Sequence, residues 1–215
     1  MSELAKRSVV GIVLILLALA VAIVGGTPFA IFVAAVAAIM YVEWTRMLRG
    51  WGVAWTLFGF LYCLAPAVSL LWIRERAEYQ GIGHGFDLLV WVFIIVWATD
   101  IGAFFAGRAI GGPKLAPSIS PNKTVAGLVG GVLSAALLAG AWVIAAKLPS
   151  LLAWLAAPLA VMAQVGDLFE SGLKRRAGVK DSGTWLPGHG GLLDRLDGLV
   201  PVAVLTAMLM TAGWL

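Results

Sequence analysis

One polar stretch of the sequence, residues 171–197, mixes basic and acidic side chains within an otherwise apolar chain. Lysine and arginine alone would suit an anionic lipid surface, and carboxylates alone would suit a cation. Both together indicate a divalent metal held between carboxylates and phosphates, because Mg²⁺ is typically bound by one or two carboxylates plus substrate phosphates. The glycine-rich centre, residues 187–191, lets the backbone approach an anion closely. The stretch therefore favours phosphoryl or nucleotidyl transfer.

Three further acids lie within or at the end of apolar segments, namely Asp100, Asp167 and Glu170. Carboxylates in lipid are costly, so each is a functional candidate. A spacing of three puts Asp167 and Glu170 on one helical face, and Lys174 extends that face by one turn. Glu170 keeps a second interpretation, as an interfacial residue that reaches water or pairs with Lys174. A structural helix–helix hydrogen bond is the alternative for both Asp167 and Asp100.

A fourth acid, Glu43, has a local explanation. It ends the second apolar segment three residues before Arg46. This spacing is typical of an ion pair on one helical face. We expect a solvated pair at this position rather than a functional group.

A second polar stretch, residues 107–124, is rich in Gly, Pro, Ser and Lys. It is similar to a phosphate-contact loop that leads into a helix at Thr124, and a plain polar turn is the alternative. The Walker A spacing is missing. His189 is expected to contact phosphate or to order its loop, since a zinc site would need further His or Cys nearby. Cys63, the single cysteine, is expected to be a small buried or lipid-facing hydrophobe.

The elements that position these residues must lie in lipid. Of the 215 residues, 61% are apolar and 12% are charged, against about 45–50% and 25% in soluble domains. A helix needs about 20 apolar residues to cross a bilayer. The sequence thus predicts an all-α polytopic membrane protein, a single domain over residues 1–215, with about seven transmembrane helices. They are roughly Val9–Val24, Pro28–Trp44, Trp51–Ile73, Leu88–Ala106, Thr124–Ala146, Leu151–Phe169 and Leu196–Leu215.

The distribution of basic residues predicts the orientation of the chain. With the N-terminus in the cytoplasm, 12 Lys and Arg residues fall on the inner side and 3 on the outer side. The positive-inside rule therefore favours a cytoplasmic N-terminus and a periplasmic C-terminus. Both polar stretches then lie on the cytoplasmic side, where nucleotides are available. The net charge of +4 indicates lipid headgroups or phosphates as partners, and no nucleic acid.

Residues 171–197 resemble the signature of the phosphatidate cytidylyltransferases, or CDP-diacylglycerol synthases. The signature contains Ser-x-apolar-Lys-Arg, Lys-Asp-x-small, His-Gly-Gly and Asp-Arg-apolar-Asp, and every fixed position is met. Residues 97–107 and 120–124 are also similar to the family. The resemblance covers residues 88–215 well and residues 1–49 more loosely. Two features depart from it: the chain is shorter, as if a helix pair were missing after the second span, and Val125–Gly127 replaces the frequent Trp-Glu-Gly.

The resemblance implies a Mg²⁺-dependent reaction of CTP with phosphatidic acid in the bacterial inner membrane, giving CDP-diacylglycerol and pyrophosphate. It implies that Asp167 and Asp194 bind the metal. We also expect that Asp197 or Asp100 shares a second mono- or divalent cation. A homodimer is left open. The expected catalytic residues are Asp167, Lys174, Lys180, Asp194 and Asp197. The expected substrate-binding residues are Ser120, Asn122, Lys123, Ser171, Arg175, Asp181, His189, Gly190, Gly191 and Arg195. The acyl chains are expected against spans four, six and seven.

Three other functions compete with this interpretation. Another CTP-using lipid enzyme, such as a CDP-archaeol-type synthase or a polyprenol kinase, would share the chemistry but change the lipid. A small transporter or channel would use Asp100 and Asp167 along its pathway, although it needs no charged loop. A non-catalytic scaffold would tolerate substitutions throughout both loops.

Overall fold

The computed structural model describes residues 3–79, 85–185 and 190–213, and it is helical apart from one small hairpin. The helices are α1 (Glu3–Val24), α2 (Gly26–Met47), α3 (Val53–Tyr79), α4 (Gly85–Ile110), α5 (Val125–Ala145), α6 (Leu151–Arg176), α7 (Leu193–Leu196) and α8 (Leu199–Thr211). The hairpin strands are β1 (Lys114–Ala116) and β2 (Ser120–Thr124). This architecture confirms the predicted all-α polytopic fold.

Each of the seven predicted apolar segments falls largely on a helix. Within the described residues, five helices are long and apolar enough to cross a membrane: Gly26–Met47, Val53–Glu75, Gly85–Ile110, Val125–Ala145 and Leu151–Arg176. The first and last segments form shorter apolar helices, Gly11–Val24 and Leu199–Thr211. Helices are favoured here because their backbone polar groups are satisfied internally. The orientation across the membrane and the homodimer stay predictions.

The first polar stretch is not a plain loop but contains an antiparallel hairpin between α4 and α5. Lys114 pairs with Thr124, and Ala116 pairs with Ser120. Thr124 then caps α5, since its Oγ1 accepts a hydrogen bond from the N–H of Gly127 at 3.0 Å. The cap explains why the helix begins at Val125, one residue after the predicted start at Thr124. The strands were not predicted, because β1 is only three residues long and the sequence of β2, Ser-Pro-Asn-Lys-Thr, has no alternating apolar pattern.

The hairpin is held by the close packing of α4 against α5, the most extensive helix pair of the described structure. Small residues allow this approach. A Cβ added to Gly131 would lie 2.7 Å from the carbonyl oxygen of Thr99, and one added to Gly127 would lie 3.0 Å from that of Ala103. The two helices therefore fix both ends of the hairpin.

The described part of the second polar stretch contains more secondary structure than predicted. It contains the one-turn helix α7, and residues 197 and 198 separate α7 from α8. The predicted last span, Leu196–Leu215, therefore begins three residues too early. α6 continues to Arg176, seven residues beyond its predicted end. Because of this extension, the first part of the signature lies on the same helix as Asp167.

A small apolar cluster packs these elements together beside the signature. Its fully buried members come from α2, α3, α6, α7 and α8, and they include Met40, Trp44, Cys63, Leu173 and Leu193. The indole of Trp44 donates a hydrogen bond to the carbonyl of Trp55 at 2.9 Å. Cys63 is a free, buried thiol, which confirms the interpretation of this residue as a small hydrophobe.

Candidate active site

The C-terminal half of α6 presents a polar face toward the signature. The Ser171 hydroxyl donates to Oδ1 of Asp167 at 3.2 Å, one turn away. The Lys174 ammonium lies 3.1 Å from Oε1 of Glu170, also one turn away. The shared face of Asp167, Glu170 and Lys174 is therefore confirmed. The second interpretation of Glu170 was that it reaches water or pairs with Lys174. Glu170 does pair with Lys174, but it is fully buried and does not reach water.

Lys174 also joins α6 to α7. Its Nζ lies 2.6 Å from Oδ1 of Asp194, so one ammonium contacts two carboxylates that differ greatly in sequence position. The side chains of all three residues are at least nine-tenths buried. Buried charges of this kind need such partners, because an unpaired charge away from water is costly.

Asp194 receives two further hydrogen bonds from its own segment. Its Oδ2 accepts from the N–H of Ser182 at 2.9 Å and from the N–H of Gly191 at 2.8 Å. Burial alone would raise the pKa of Asp194, but the hydrogen bonds from Lys174, Gly191 and Ser182 outweigh burial and hold the pKa below its ordinary value. Gly190 has a φ of 81°, a conformation that favours glycine and turns the chain into this contact. Asp194 is therefore a fixed carboxylate.

The hairpin contributes Lys123 to the same region. Its Nζ lies 2.5 Å from Oδ2 of Asp167 and donates to Oε1 of Gln164 at 3.2 Å. Arg175 provides a second link, since its Nε donates to the carbonyl of Ile119 at 3.2 Å. The two polar stretches thus meet at α6. Gln164, a buried amide in an apolar helix, was missed in the sequence, although a polar residue within a span is itself a signal.

Asp197 lies between α7 and α8, outside both helices, and accepts a hydrogen bond from the N–H of Gly198 at 2.8 Å. Burial, and then the negative charge of Asp167, raise the pKa of Asp197 to about 7. Asp100 acts on Asp197 in the same direction. Three acids from α4, α6 and the α7–α8 junction therefore concentrate negative charge in one place.

Asp100 is not buried, although its position within an apolar helix suggested that it would be. Its side chain is exposed and lines a cavity of about 600 Å³. Residues of α1, α2, α3, α4 and α8 form the walls, which are mainly apolar. Trp185 and Arg195 from the signature also line it. The cavity therefore connects an apolar interior with the charged region.

Glu43 contradicts its sequence interpretation. The side chain is buried, with 1% of its surface exposed, and it is not a solvated partner of Arg46. Its carboxylate instead accepts hydrogen bonds from the N–H groups of Leu192 and Leu193, at 2.9 and 2.8 Å. The i,i+3 spacing was misleading because contacts across about 150 residues leave no trace in local spacing. The available signal was the position of an acid at the end of an apolar helix.

The other predicted residues surround this core at varying depth. Ser120 and Ser171 are half-buried, and Gly191 is buried. The exposed residues are Asn122, Arg175, Lys180, Asp181 and Arg195. His189 lies outside the described residues, as does most of the glycine-rich centre.

These contacts define a polytopic membrane protein with a site of paired acids and lysines at one end of its helices, next to an apolar cavity. Such a site can neutralise polyanions and hold cations. The model of the cytidylyltransferase family matches residues 48–212. The chain belongs to this family, as the resemblance predicted.

Individual relatives agree with the family match. The chain is 37% identical to the phosphatidate cytidylyltransferase of Brucella suis biovar 1 over 256 aligned positions, which cover 95% of this chain and 92% of that protein. It is 47% identical to that of Bacillus subtilis over 117 residues, 53% of this chain and 44% of that protein. It is 39% identical to that of Haemophilus influenzae over 150 residues, 66% of this chain and 52% of that protein.

Proposed function

We propose that this protein transfers the cytidylyl group of CTP to phosphatidic acid, giving CDP-diacylglycerol and pyrophosphate for phospholipid synthesis. The observation that carries the proposal is the convergence of two acid–lysine pairs on one face of α6: Lys123 with Asp167, and Lys174 with Asp194. This site occurs in a member of the cytidylyltransferase family whose relatives are named phosphatidate cytidylyltransferase. The bacterial relatives support the inner membrane as its location.

The cavity supports a lipid substrate. Its largely apolar walls suit acyl chains, and Asp100 and Arg195 place charge beside the same space. α4 and α8 line it, as expected for the lipid site, but α1, α2 and α3 form the other walls rather than α6. We therefore place the acyl chains among the first four helices and α8, with the phosphate toward the charged residues.

The carboxylates suit Mg²⁺ as the metal. A carboxylate offers about four lone-pair positions. Asp167 uses two for Lys123 and Ser171, and Asp194 uses three for Lys174 and two N–H groups, so each keeps an oxygen lone pair. Among the described residues no group of three acids, His or Cys forms a closed metal cage. Mg²⁺ does not need one, because substrate phosphates and water complete its shell.

The remaining lone pairs support the following choice of metal ligands. Asp167 and Asp194 would hold Mg²⁺, and Asp197 or Asp100 would share a second mono- or divalent cation. When bound, the metal supplies positive charge that stabilises the triphosphate and the departing pyrophosphate.

The remaining chemistry belongs to the protein side chains. A lysine ammonium has three N–H donors, so Lys123 and Lys174 each keep one beyond their two contacts. We assign these donors, with Arg175, Lys180 and Arg195, to phosphate oxygens. Ser120 and Asn122 lie on the same hairpin as Lys123 and would orient either the nucleotide or the lipid phosphate. The lipid phosphate is already ionised at neutral pH, so the attack on the α-phosphorus requires no general base.

The experiment compares CTP labelled in the α-phosphate with CTP labelled in the γ-phosphate, using purified protein and phosphatidic acid. We expect α-label, and no γ-label, in a chloroform-soluble product. Transfer of the γ-label would instead indicate a CTP-dependent lipid kinase. Label that appears only with an archaeol or polyprenol acceptor would reject phosphatidic acid as the substrate.

A further inference from the structure

We propose that Glu43 is a positioning residue that holds the signature in the conformation in which Asp194 meets α6. The proposal rests on the function proposed above and adds a residue from α2, far from the signature in sequence. No resemblance assigned a role to this position.

Glu43 connects three residues of the signature through hydrogen bonds, and we call this arrangement the clamp. Its carboxylate accepts from the N–H of Leu192 at 2.9 Å, from the N–H of Leu193 at 2.8 Å and from the hydroxyl of Ser182 at 3.3 Å. Hydrogen bonds to an ionised acceptor are shorter and about twice as strong as neutral ones. One buried side chain therefore ties together both ends of the segment 182–193.

Glu43 and Asp194 act on the same segment. Ser182 gives its hydroxyl to Glu43 and its N–H to Asp194. At the other end, the N–H of Gly191 goes to Asp194, and the next N–H, that of Leu192, goes to Glu43. The two carboxylates thus share donors from both ends of the segment, and the position of Asp194 depends on the geometry that Glu43 imposes.

Two glycines make room for this clamp. A Cβ added to Gly183 would lie 2.5 Å from Oε1 of Glu43, and one added to Gly191 would lie 2.7 Å from Oε2. Both distances are too short for carbon and oxygen, so a side chain at either position would displace the carboxylate. The signature glycines therefore serve a contact with α2 as well as any contact with a ligand.

The helix that presents Glu43 is itself firmly held. The adjacent Trp44 is fully buried in the apolar cluster, and its ring packs against Tyr62 and Phe58 at centroid distances of 5.1 and 5.8 Å. A displacement of the signature is thus not absorbed by a movement of α2. Misplacement of a catalytic group by about 1 Å can cost about a hundredfold in rate.

The test uses Glu43→Gln, which keeps the size of the side chain but replaces one acceptor oxygen with a donor. The matched control is Glu75→Gln, because Glu75 also accepts from a backbone N–H, that of Gly26 at 2.8 Å. The measurements are kcat, KM for phosphatidic acid, and hydrogen–deuterium exchange over residues 190–196. Gly183→Ala provides a second variant that disturbs the clamp from the loop side.

We expect Glu43→Gln to lower kcat by about tenfold or more without a change in KM for phosphatidic acid. Exchange over residues 190–196 should accelerate by roughly tenfold, since N–H groups lose a charged acceptor. Gly183→Ala should give the same pattern, and the double variant should be less impaired than the two effects combined. Glu75→Gln should match the unchanged protein in kcat, in KM for phosphatidic acid and in exchange.

Unchanged kcat and exchange in Glu43→Gln would overturn the proposal, as would a rise in KM alone. If Glu43→Gln is not recovered from membranes, Gly183→Ala decides the outcome by the same criteria. An unchanged protein that fails to transfer cytidylyl groups would reject the proposed function. The exchange measurement would still report whether Glu43 holds the segment.

Discussion

Lys174 on α6 and Asp194 on α7 lie 2.6 Å apart, from Nζ to Oδ1, although 20 residues separate them in the chain. The same ammonium contacts Glu170 at 3.1 Å. This three-residue arrangement fixes the signature against the helix that carries Asp167. It places the two proposed metal ligands at the same end of α6.

Replacement of Asp167 or Asp194 by Ala should lower turnover by orders of magnitude while the protein still inserts into the membrane. The reason is that each would hold Mg²⁺ against the triphosphate, which depends on charge neutralisation. Turnover of purified protein, with membrane insertion measured in parallel, checks this. Near-normal activity of both variants would reject their metal role.

Lys174→Met should destabilise the protein by about 3 kcal/mol, because it leaves two buried carboxylates without their shared cation. Thermal unfolding in detergent measures the effect. Adding Glu170→Gln should restore part of the loss, since it removes one of the two buried acids that have lost their shared partner. Lys180→Met is the control, because Lys180 is exposed on the same stretch. Equal stability of the two lysine variants would contradict the role of Lys174.

Lys123→Gln should reduce kcat/KM for CTP or phosphatidic acid by about tenfold to a hundredfold, as expected for the loss of a charged hydrogen bond of about 1.5–3 kcal/mol. Steady-state kinetics with each substrate varied in turn would show which phosphate Lys123 contacts. The control is Lys114→Gln, on the other strand of the same hairpin and exposed. A similar loss in both variants would indicate only a general effect of hairpin charge.

The sequence predicted the helices well because long apolar runs have few alternatives in lipid. It also predicted the shared face of Asp167, Glu170 and Lys174, since i,i+3 and i,i+4 neighbours follow from helix geometry. The hairpin and α7 were missed, because elements of three to five residues are too short to carry a periodic signal. Both depend on contacts with helices distant in sequence.

In the candidate site, too, the sequence predicted contacts between near neighbours but not contacts between residues that are distant in the chain. Arg175 and Lys123 bring the two polar stretches together through Ile119 and Asp167, a meeting that the signature alone did not predict. Glu43 was misinterpreted for the same reason, since its donors lie across the fold at Leu192 and Leu193. Residues whose partners are distant need the structure.

Ala18→Phe should raise KM for phosphatidic acid severalfold and leave KM for CTP unchanged. Ala18 lines the proposed acyl-chain cavity, and a ring placed there removes volume from about 600 Å³. Ala20→Phe is the matched control, because Ala20 is exposed on the same helix. Kinetics in mixed micelles separates the two substrates. Unchanged KM for phosphatidic acid in Ala18→Phe would place the acyl chains elsewhere.

We propose that separate stretches of the chain hold one divalent cation against a nucleoside triphosphate. Mn²⁺ binding measured by electron paramagnetic resonance tests this arrangement most directly. We predict that the unchanged protein binds Mn²⁺ tightly only with CTP present, and that Asp167→Asn and Asp194→Asn each abolish this binding. Glu75→Gln should bind as the unchanged protein does. Mn²⁺ binding that is the same in both aspartate variants as in the unchanged protein would contradict the claim.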